Sequence, residues 1–412
     1  MRVAGAAIVI GLLVLAVVGG GAVRARQRAS SAVRHQAEPL LVDADTLYSS
    51  LANADATATN TFLEAGLEPP ARRQAYLSDL ATAAAQLTAV AEQAGTSPEV
   101  TRALGVINKD LPLYSGMVEA SRADNLLGYP VGAAYLNEAS TMMETAILPA
   151  AGQLYQVEAQ RLNAEYHSGQ SLLDVFGVLL VAVLALALLA LTQRFLTQRT
   201  NRIVNPFLLL GTILTVVLVV WTVVAFTVSA SRLDAARRRG SDPIQLLSSA
   251  QILVARAQVD ENLALVARGS GTQYLADFQA VTGALGAADG SSGLVKELEP
   301  FDADFVGTNS IDTFYAAYLK AHQAVVAAEN SAQFTTAVTL ATGEGTGDEL
   351  PAASDLTSVL GNEIQAAQTT FNTKAAAAAH NLAILELGVL ALALVAAGLA
   401  LAGLEQRISE YR

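Results

Sequence analysis

Cysteine is absent from this chain of 412 residues, and tryptophan occurs once. The absence of cysteine excludes disulfide bonds, thiol chemistry and cysteine-ligated metal sites. The four histidines are scattered singly, without the spacing of metal ligands. The chain also has no glycine-rich phosphate loop ending in Lys-Ser/Thr and no Gly-x-Ser-x-Gly nucleophile elbow. We therefore predict no catalytic residue, no metal site and no cofactor.

Positive charge is scarce in the two long polar regions of the chain. Residues 24–171 carry a net charge of −6, and residues 231–381 carry −8. Nucleic-acid binding depends on Lys and Arg that contact phosphates, and these acidic regions offer no basic face. We expect no nucleic acid among the partners.

Four apolar stretches are long enough to cross a bilayer, which takes about 20 residues per helix. They are Val3–Val23, Leu172–Leu191, Phe207–Val228 and Leu382–Leu404. Their only carboxylates, Asp174 and Glu386, lie within about a turn of an end, where a polar side chain can reach the interface. The first stretch is too long for a signal-peptide core, which has 7–15 residues. These features predict a multi-pass membrane protein whose membrane partner is the lipid bilayer.

The chain repeats itself at a nearly constant offset. The segment Tyr76–Leu80 resembles Tyr274–Phe278 at an offset of 198, and Leu148–Ala151 recurs as Leu350–Ala353 at an offset of 202. Similar offsets in the same order indicate internal duplication of a unit made of span, soluble region and span. The predicted order is transmembrane helix 1 (3–23), bundle 1 (24–171), transmembrane helix 2 (172–192), cytoplasmic loop (193–205), transmembrane helix 3 (206–230), bundle 2 (231–381), transmembrane helix 4 (382–404) and cytoplasmic tail (405–412).

Each polar region reads as four helices separated by glycine and proline. In the first copy, Ser97-Pro98-Glu99 predicts a helix start and Gly128-Tyr129-Pro130 a helix end. Apolar residues recur at steps of three and four, which predicts a coiled-coil-like seam. The glycine-rich stretch 343–349 predicts a break in the last helix of the second copy. The predicted fold is an all-α membrane protein with four transmembrane helices and two tandem extracytoplasmic four-helix bundles.

The charges that flank the spans set the predicted orientation. Arg194, Arg199 and Arg202 fall in the short loop 193–205, which has no acid and is therefore placed in the cytoplasm. Arginines also follow the spans that enter the bundles, and they favour the opposite orientation. We weight the short loop more, because long domains translocate largely regardless of charge. The three arginines of the loop are candidate contacts for a cytosolic effector.

The architecture, a bundle whose first and last helices continue as spans, resembles two input domains of bacterial chemoreceptors or sensor kinases in tandem. The whole chain, including the segments 122–125 (Arg-Ala-Asp-Asn) and 128–136 (Gly-Tyr-Pro-Val-Gly-Ala-Ala-Tyr-Leu), is similar to the GlnX-type membrane proteins of actinobacteria. This resemblance implies an extracytoplasmic glutamate- or glutamine-binding lipoprotein and a cytosolic Ser/Thr kinase as partners. It implies a non-enzymatic relay of amino-acid availability between them.

Four residues are candidates for signalling. Asn125 continues an apolar seam and Arg122 borders it, so the pair is positioned to hold a carboxylate ligand or a partner loop. The alternative is that Asn125 fixes helix register and Arg122 pairs with Glu119. Pro149 and Pro351 lie in the segments that lead to the second and fourth spans. Each is either a signalling hinge or part of a loop between two short helices.

Three functions are compatible with these features. The first is a sensor or relay, the second a cell-envelope scaffold without ligand-dependent states, and the third an accessory transporter subunit. The third is weakest because no span has a central ionisable residue of the kind that marks a transport pathway. A homo-oligomer is compatible with each of them.

The orientation is testable with reporter fusions in cells. We expect a reporter inserted after Arg202 to be active in the cytosol, and one inserted within 343–348 to be active outside. Cytosolic activity of the second fusion would contradict the predicted topology.

Overall fold

All regular secondary structure in the described residues of the computed structural model is helical, and these residues are 2–64, 68–93, 97–169, 172–200, 206–305 and 310–409. The α-helices are α1 (Arg2–Ala32), α2 (Glu38–Leu63), α3 (Pro70–Gln93), α4 (Pro98–Leu126), α5 (Val131–Met142), α6 (Leu148–Gly169), α7 (Leu172–Thr200), α8 (Pro206–Ala236), α9 (Asp242–Val266), α10 (Thr272–Leu285), α11 (Gly293–Phe305), α12 (Ile311–Asn330), α13 (Phe334–Thr342) and α14 (Glu349–Ser409).

Among the described residues, three π-helical turns join consecutive α-helices without a break. They are Val33–Ala37 between α1 and α2, Met143–Ile147 between α5 and α6, and Arg237–Ser241 between α8 and α9. A proline is the second residue after each turn, at positions 39, 149 and 243. Proline lacks the amide hydrogen of the regular α-helical bond, and its ring clashes with the carbonyl four residues before it. A wider turn at that carbonyl lets the helix continue past the proline.

The structure divides into two compact units, and the first contains the apolar segments. It consists of residues 1–36, 162–237 and 372–412. One buried cluster joins α1, α7, α8 and the apolar part of α14 through Leu15, Val178, Leu218 and Leu385. Arg26 is also buried in this unit, with its guanidinium 4.2 Å from the centre of the Phe226 ring. The arginines that follow the apolar segments thus include one that packs within the unit.

Three helices of the described residues are long and apolar enough to cross a membrane. They cover Ala7–Leu63, Val175–Arg194 and Pro206–Val266, and a shorter apolar segment covers Leu387–Ala402. Their outward faces are strongly apolar: Val17 and Leu387 are each 74% exposed. Large exposed apolar faces are unfavourable in water and suit a lipid environment. The three candidates overlap three of the four predicted spans, two of them extending well beyond the span, and the fourth predicted span overlaps the shorter segment.

The second unit contains residues 37–161 and 238–371. Within it, the predicted seams of the first copy are largely buried, including Leu47 and Leu51 on α2 and Tyr76 and Ala83 on α3. The predicted helix start at Ser97 is confirmed, because its hydroxyl oxygen accepts a bond from the amide of Val100 at 3.1 Å. Helical periodicity and capping residues therefore predict the local structure of this region well.

Helices α2 and α9 pair directly inside this unit. The hydroxyl of Ser248 donates to Asp45 at 2.6 Å, and the amide of Asn262 donates to Thr59 at 3.3 Å. Both contacts join residues 203 apart, so the two helices run parallel and in register. The buried cluster of the first copy accordingly includes residues of α9, such as Ile252 and Val259. The two predicted bundles share one unit through this helix pair.

The structure differs from the expected elements in two places and agrees with them in a third. The predicted loop 193–205 is helical to Thr200, and residues 201–205 lie outside the described residues. The second copy has an additional helix, α11, which carries Pro300 and which the pattern of breakers did not reveal. Its last helix is broken as predicted, since α13 ends at Thr342 and α14 begins at Glu349.

Gly240, in the third π turn, packs closely against Phe371 on α14, and a substitution there tests this contact. A β-carbon at Gly240 would lie 2.6 Å from Cβ of Phe371 and 2.9 Å from its Cα. We expect Gly240→Ala to lower the free energy of unfolding by about 1–3 kcal/mol, because the backbone of the neighbouring helix must move. The control is Gly105→Ala on α4, where an added β-carbon would contact nothing within 4 Å. This change should raise the free energy of unfolding by roughly 0.5–1 kcal/mol, because alanine has a higher helix propensity than glycine. Thermal or chemical unfolding of the full chain measures both, and equal effects would contradict the close packing at Gly240.

Candidate functional site

A small pocket lies among α2, α3, α4 and α5 of the first copy. Its lining includes Phe62, Glu68, Arg73, Tyr76, Arg122 and Asn125. Arg122 and Asn125 therefore line the same pocket. They are the two residues that the sequence proposed as a ligand or partner site. Sequence reasoning placed them on α4 but did not find two of their partners, Phe62 on α2 and Glu68 in the segment before α3.

Protein groups already bind some of the polar atoms of each of these two side chains. The guanidinium of Arg122 pairs with the carboxylate of Glu68 and lies 3.7 Å from that of Glu119. The amide of Asn125 donates to the carbonyl of Phe62 at 2.9 Å and so caps one of the last carbonyls of α2. The predicted pairing of Arg122 with Glu119 is present, as the structural alternative required. The ligand role of both residues stays a prediction.

Two arginines, Arg73 and Arg122, and one glutamate, Glu68, line the pocket. Arg73 pairs with Glu119 and lies over the ring of Tyr76, at 5.4 Å from its centre. The free volume is about 40 Å³, enough for a few water molecules. A carboxylate ligand would have to displace Glu68 or Glu119 from an arginine, so binding would couple directly to the contacts between α3 and α4.

The α4–α5 corner beside the pocket presents apolar side chains to solvent. Helix α4 ends in a Schellman motif, in which Gly128 has a φ of +73° and the amide of Tyr129 bonds to the carbonyl of Asp124 at 2.8 Å. A β-carbon at Gly132 would lie 2.9 Å from the carbonyl oxygen of Ser121, so α5 approaches α4 closely here. The exposed residues of this corner are Leu126, Leu127, Tyr129, Val131 and Tyr135. We call this group the apolar corner.

Helix α2, which contributes to the lining of the pocket, also carries a buried acid, Asp55. Asp55 on α2 accepts hydrogen bonds from the hydroxyls of Tyr114 at 3.1 Å and Ser140 at 2.5 Å. Burial raises the pKa of Asp55 to about 7, against the effect of these two bonds. Burial likewise raises the pKa of Asp45 to about 7 and that of Asp260 to about 8, the latter with help from the charge of Glu144. The core of the second unit therefore contains acids that titrate near neutral pH.

The second copy has a wider groove beside its glycine-rich segment. Thr313, Lys320, Glu344, Pro351 and Asp355 lie along it, and its volume is about 600 Å³. Arg72 on α3 donates to the carbonyl of Thr342 at 3.0 Å and lies 3.9 Å from Glu344. This groove is large enough for a small molecule. The sequence pattern marked the glycine-rich segment but not the groove.

The other predicted residues are less informative in the structure. Arg194 is exposed near the end of α7, whereas Arg202 and the side chain of Arg199 lie outside the described residues. Pro149 lies within a continuous helix, two residues beyond a π turn. Pro351 is the third residue of α14 and follows the break at 343–348, where a proline fits without a kink. Their hinge role stays a prediction.

One cluster escaped the sequence analysis altogether. Glu261 on α9, His322 on α12 and Glu349 at the start of α14 bring one side-chain atom each within 4.8 Å of one another. The residues are far apart in the chain, and their spacing carries no ligand signal. Only the packing of the three helices reveals them as a group.

Comparison with known families identifies the region that contains the pocket. Residues 29–167 match the family model described as an actinobacterial sensor domain. The match covers about a third of the chain and includes all of α2 to α5. No curated protein and no solved structure matches the chain. The match supports a sensor role, and the long apolar helices indicate a membrane protein.

The buried acids predict how stability depends on pH. A carboxyl whose folded pKa is raised is destabilised when ionised, so its contribution is greatest below the unfolded pKa, about 4, and is lost as pH rises through the folded value. We expect the free energy of unfolding to fall between pH 5 and 8. Asp55→Asn should reduce this fall by roughly 2–4 kcal/mol. Asp289 is exposed and its pKa is lowered by bonds from Ser291, so Asp289→Asn should leave the fall in place. Equal pH profiles of Asp55→Asn and the wild type would contradict a titrating buried Asp55.

Proposed function

We propose that this protein is a non-enzymatic membrane sensor that relays amino-acid availability, of the glutamate or glutamine type, to a cytosolic Ser/Thr kinase. The observation that carries the proposal is the continuity between the sensor region and the apolar helices. The matched residues 29–167 begin within α1 and end within α6, and α1 continues into α2 through a π turn. A change in the packing of α2 therefore has a direct helical route to the apolar segment.

The proposed topology has four spans and two duplicated halves with their polar regions outside the cell. Several structural features support the duplication. The π turns at 33–37 and 237–241 are offset by 204, and each is followed by an acid and a proline. Helices α2 and α9 pair in register at an offset of 203. These values are close to the sequence offsets of 198 and 202, which come from other residues.

Partners on both sides complete the proposed relay. A loaded amino-acid-binding lipoprotein would dock at the apolar corner of the first copy, which lies beside the pocket lined by Arg122 and Asn125. Exposed aromatic and aliphatic side chains of this kind act as anchors in protein interfaces. On the cytosolic side, Arg194 and the other two arginines of the loop 193–205 would contact the kinase.

The π turn before Pro149 is the proposed switching element. A π turn contains one residue more than the matching α-helical turn, and one residue corresponds to a rotation of about 100°. Moving or removing the turn would rotate one helical segment against the other. Such turns occur frequently at functional sites. Proline stabilises the wide turn, because it cannot donate the bond that would close a regular α-helical turn.

Replacing this proline tests the relay. We expect Pro149→Ala to favour a regular helix and to hold the output in one state, while the protein remains inserted and expressed. The measurement is the phosphorylation of proteins in the cytosolic kinase pathway after external glutamate or glutamine is added and removed. Crosslinking in intact cells under both conditions should capture the binding protein only when it is loaded.

Two comparisons make the result specific. Pro98→Ala changes an exposed proline at the first position of α4, away from any π turn, and should leave the response unchanged. Pro351→Ala tests the first turn of α14. If Pro149→Ala responds like the wild type, the switching element is wrong. If the wild type itself shows no response to amino acid, the relay is wrong, and a scaffold explains the protein better.

A further inference from the structure

Three titratable side chains converge in the second copy, at the junction of α9, α12 and α14. Nδ1 of His322 lies 2.9 Å from Oε1 of Glu261, and Glu349 brings a carboxylate oxygen within 4.8 Å of both. The imidazole stacks on the ring of Phe278 with centroids 3.8 Å apart, which fixes its orientation. The three ligand atoms are thus presented by three different helices.

Two carboxylate oxygens of this cluster are buried without a hydrogen-bond partner. They are Oε2 of Glu261 and Oε1 of Glu349, on residues that are 3% and 4% exposed. Leaving buried carboxylate oxygens unpaired is costly, and each such atom in a native fold requires an explanation. The imidazole accounts for one oxygen of Glu261 only. Two carboxylates and one imidazolium would also leave a net negative charge in the cluster.

A very small cavity adjoins two of these side chains. Asn60, Gln258 and Asn262 line it together with Glu261 and Glu349. Its volume is about 10 Å³, which is the room of a single water molecule. The amide side chains around it offer both donors and acceptors to such a molecule.

We propose that Glu261, His322 and Glu349 bind a divalent transition-metal ion of the Zn²⁺ class. One imidazole nitrogen and two carboxylates form a ligand set that suits such ions, and hard ions such as Mg²⁺ prefer oxygen alone. Three protein ligands leave a fourth position for water, which the adjoining cavity can hold. A doubly charged cation with a neutral imidazole balances the two carboxylates and gives the unpaired oxygens a partner.

The site would fasten the beginning of the longest helix. Glu349 is the first residue of α14, directly after the break at 343–348. Metal binding would hold this end of α14 against Glu261 on α9 and His322 on α12. The bound and free forms would therefore differ in how firmly the start of α14 is held.

The test uses the full-length, tag-free protein in detergent or nanodiscs, treated with EDTA and then dialysed. Titration with ZnCl2 by calorimetry should give one saturable site per chain, and Zn²⁺ should raise the unfolding temperature. MgCl2 should do neither at equal concentration. His322→Ala and Glu349→Gln should each weaken Zn²⁺ binding by more than about 100-fold, which exceeds the usual effect of changing a residue that only supports a ligand.

Matched substitutions control for surface binding and for misfolding. His380→Ala and Glu297→Gln change exposed residues and should keep wild-type affinity. Glu349→Gln preserves the shape of the side chain and removes a buried charge, so without metal it should unfold no earlier than the wild type. Unchanged Zn²⁺ affinity in both ligand variants, or no saturable site in the wild type, would overturn the proposal. Equal binding of Mg²⁺ would overturn the metal class. All these readouts are independent of signalling.

Discussion

The parallel pairing of α2 and α9 is the constraint on which the second unit depends. Two polar contacts, Asp45 with Ser248 and Thr59 with Asn262, are buried between these helices. A shift of either helix by one residue would separate both pairs and leave buried polar groups unpaired, at a cost of about 1–3 kcal/mol each. Apolar packing alone tolerates several registers, whereas buried polar pairs specify one. The cores of both copies are built on either side of this fixed pair.

Stability and sensitivity conflict in this arrangement. The same helices carry Asp45, Asp55 and Asp260, whose carboxyls burial makes harder to ionise. Apolar residues at these positions would give a more stable core. Acids that titrate near pH 7 instead make the packing of α2 and α9 depend on its surroundings. Packing that depends on the protonation of buried acids is unfavourable in a rigid scaffold and is useful in a domain that must adopt two states.

The sequence predicted the helices better than their assembly. Steps of three and four residues located the buried faces of α2 and α3, and Ser97 and Gly128 located both ends of α4, because these signals are local. The π turns were missed, although a proline two residues after each turn is a signal that could have found them. The cluster of Glu261, His322 and Glu349 left no such signal, since its members meet only through tertiary packing. Arg122 and Asn125 were correctly placed on one surface of α4, and the local pairing of Arg122 with Glu119 was foreseen, but its second partner, Glu68, comes from the segment before α3.

The proposed duplication within one chain would have a genetic consequence. In a symmetric homodimer every substitution appears twice, so a change to the binding surface of one subunit also changes the same surface of the other subunit. Here α2 and α9 are encoded separately, and each can vary alone. The first half of the chain has a continuous last helix and a narrow pocket, while the second half has a broken helix, a wide groove and the glutamate–histidine cluster. Covalent linkage thus allows a division of labour that identical subunits cannot reach by single mutations.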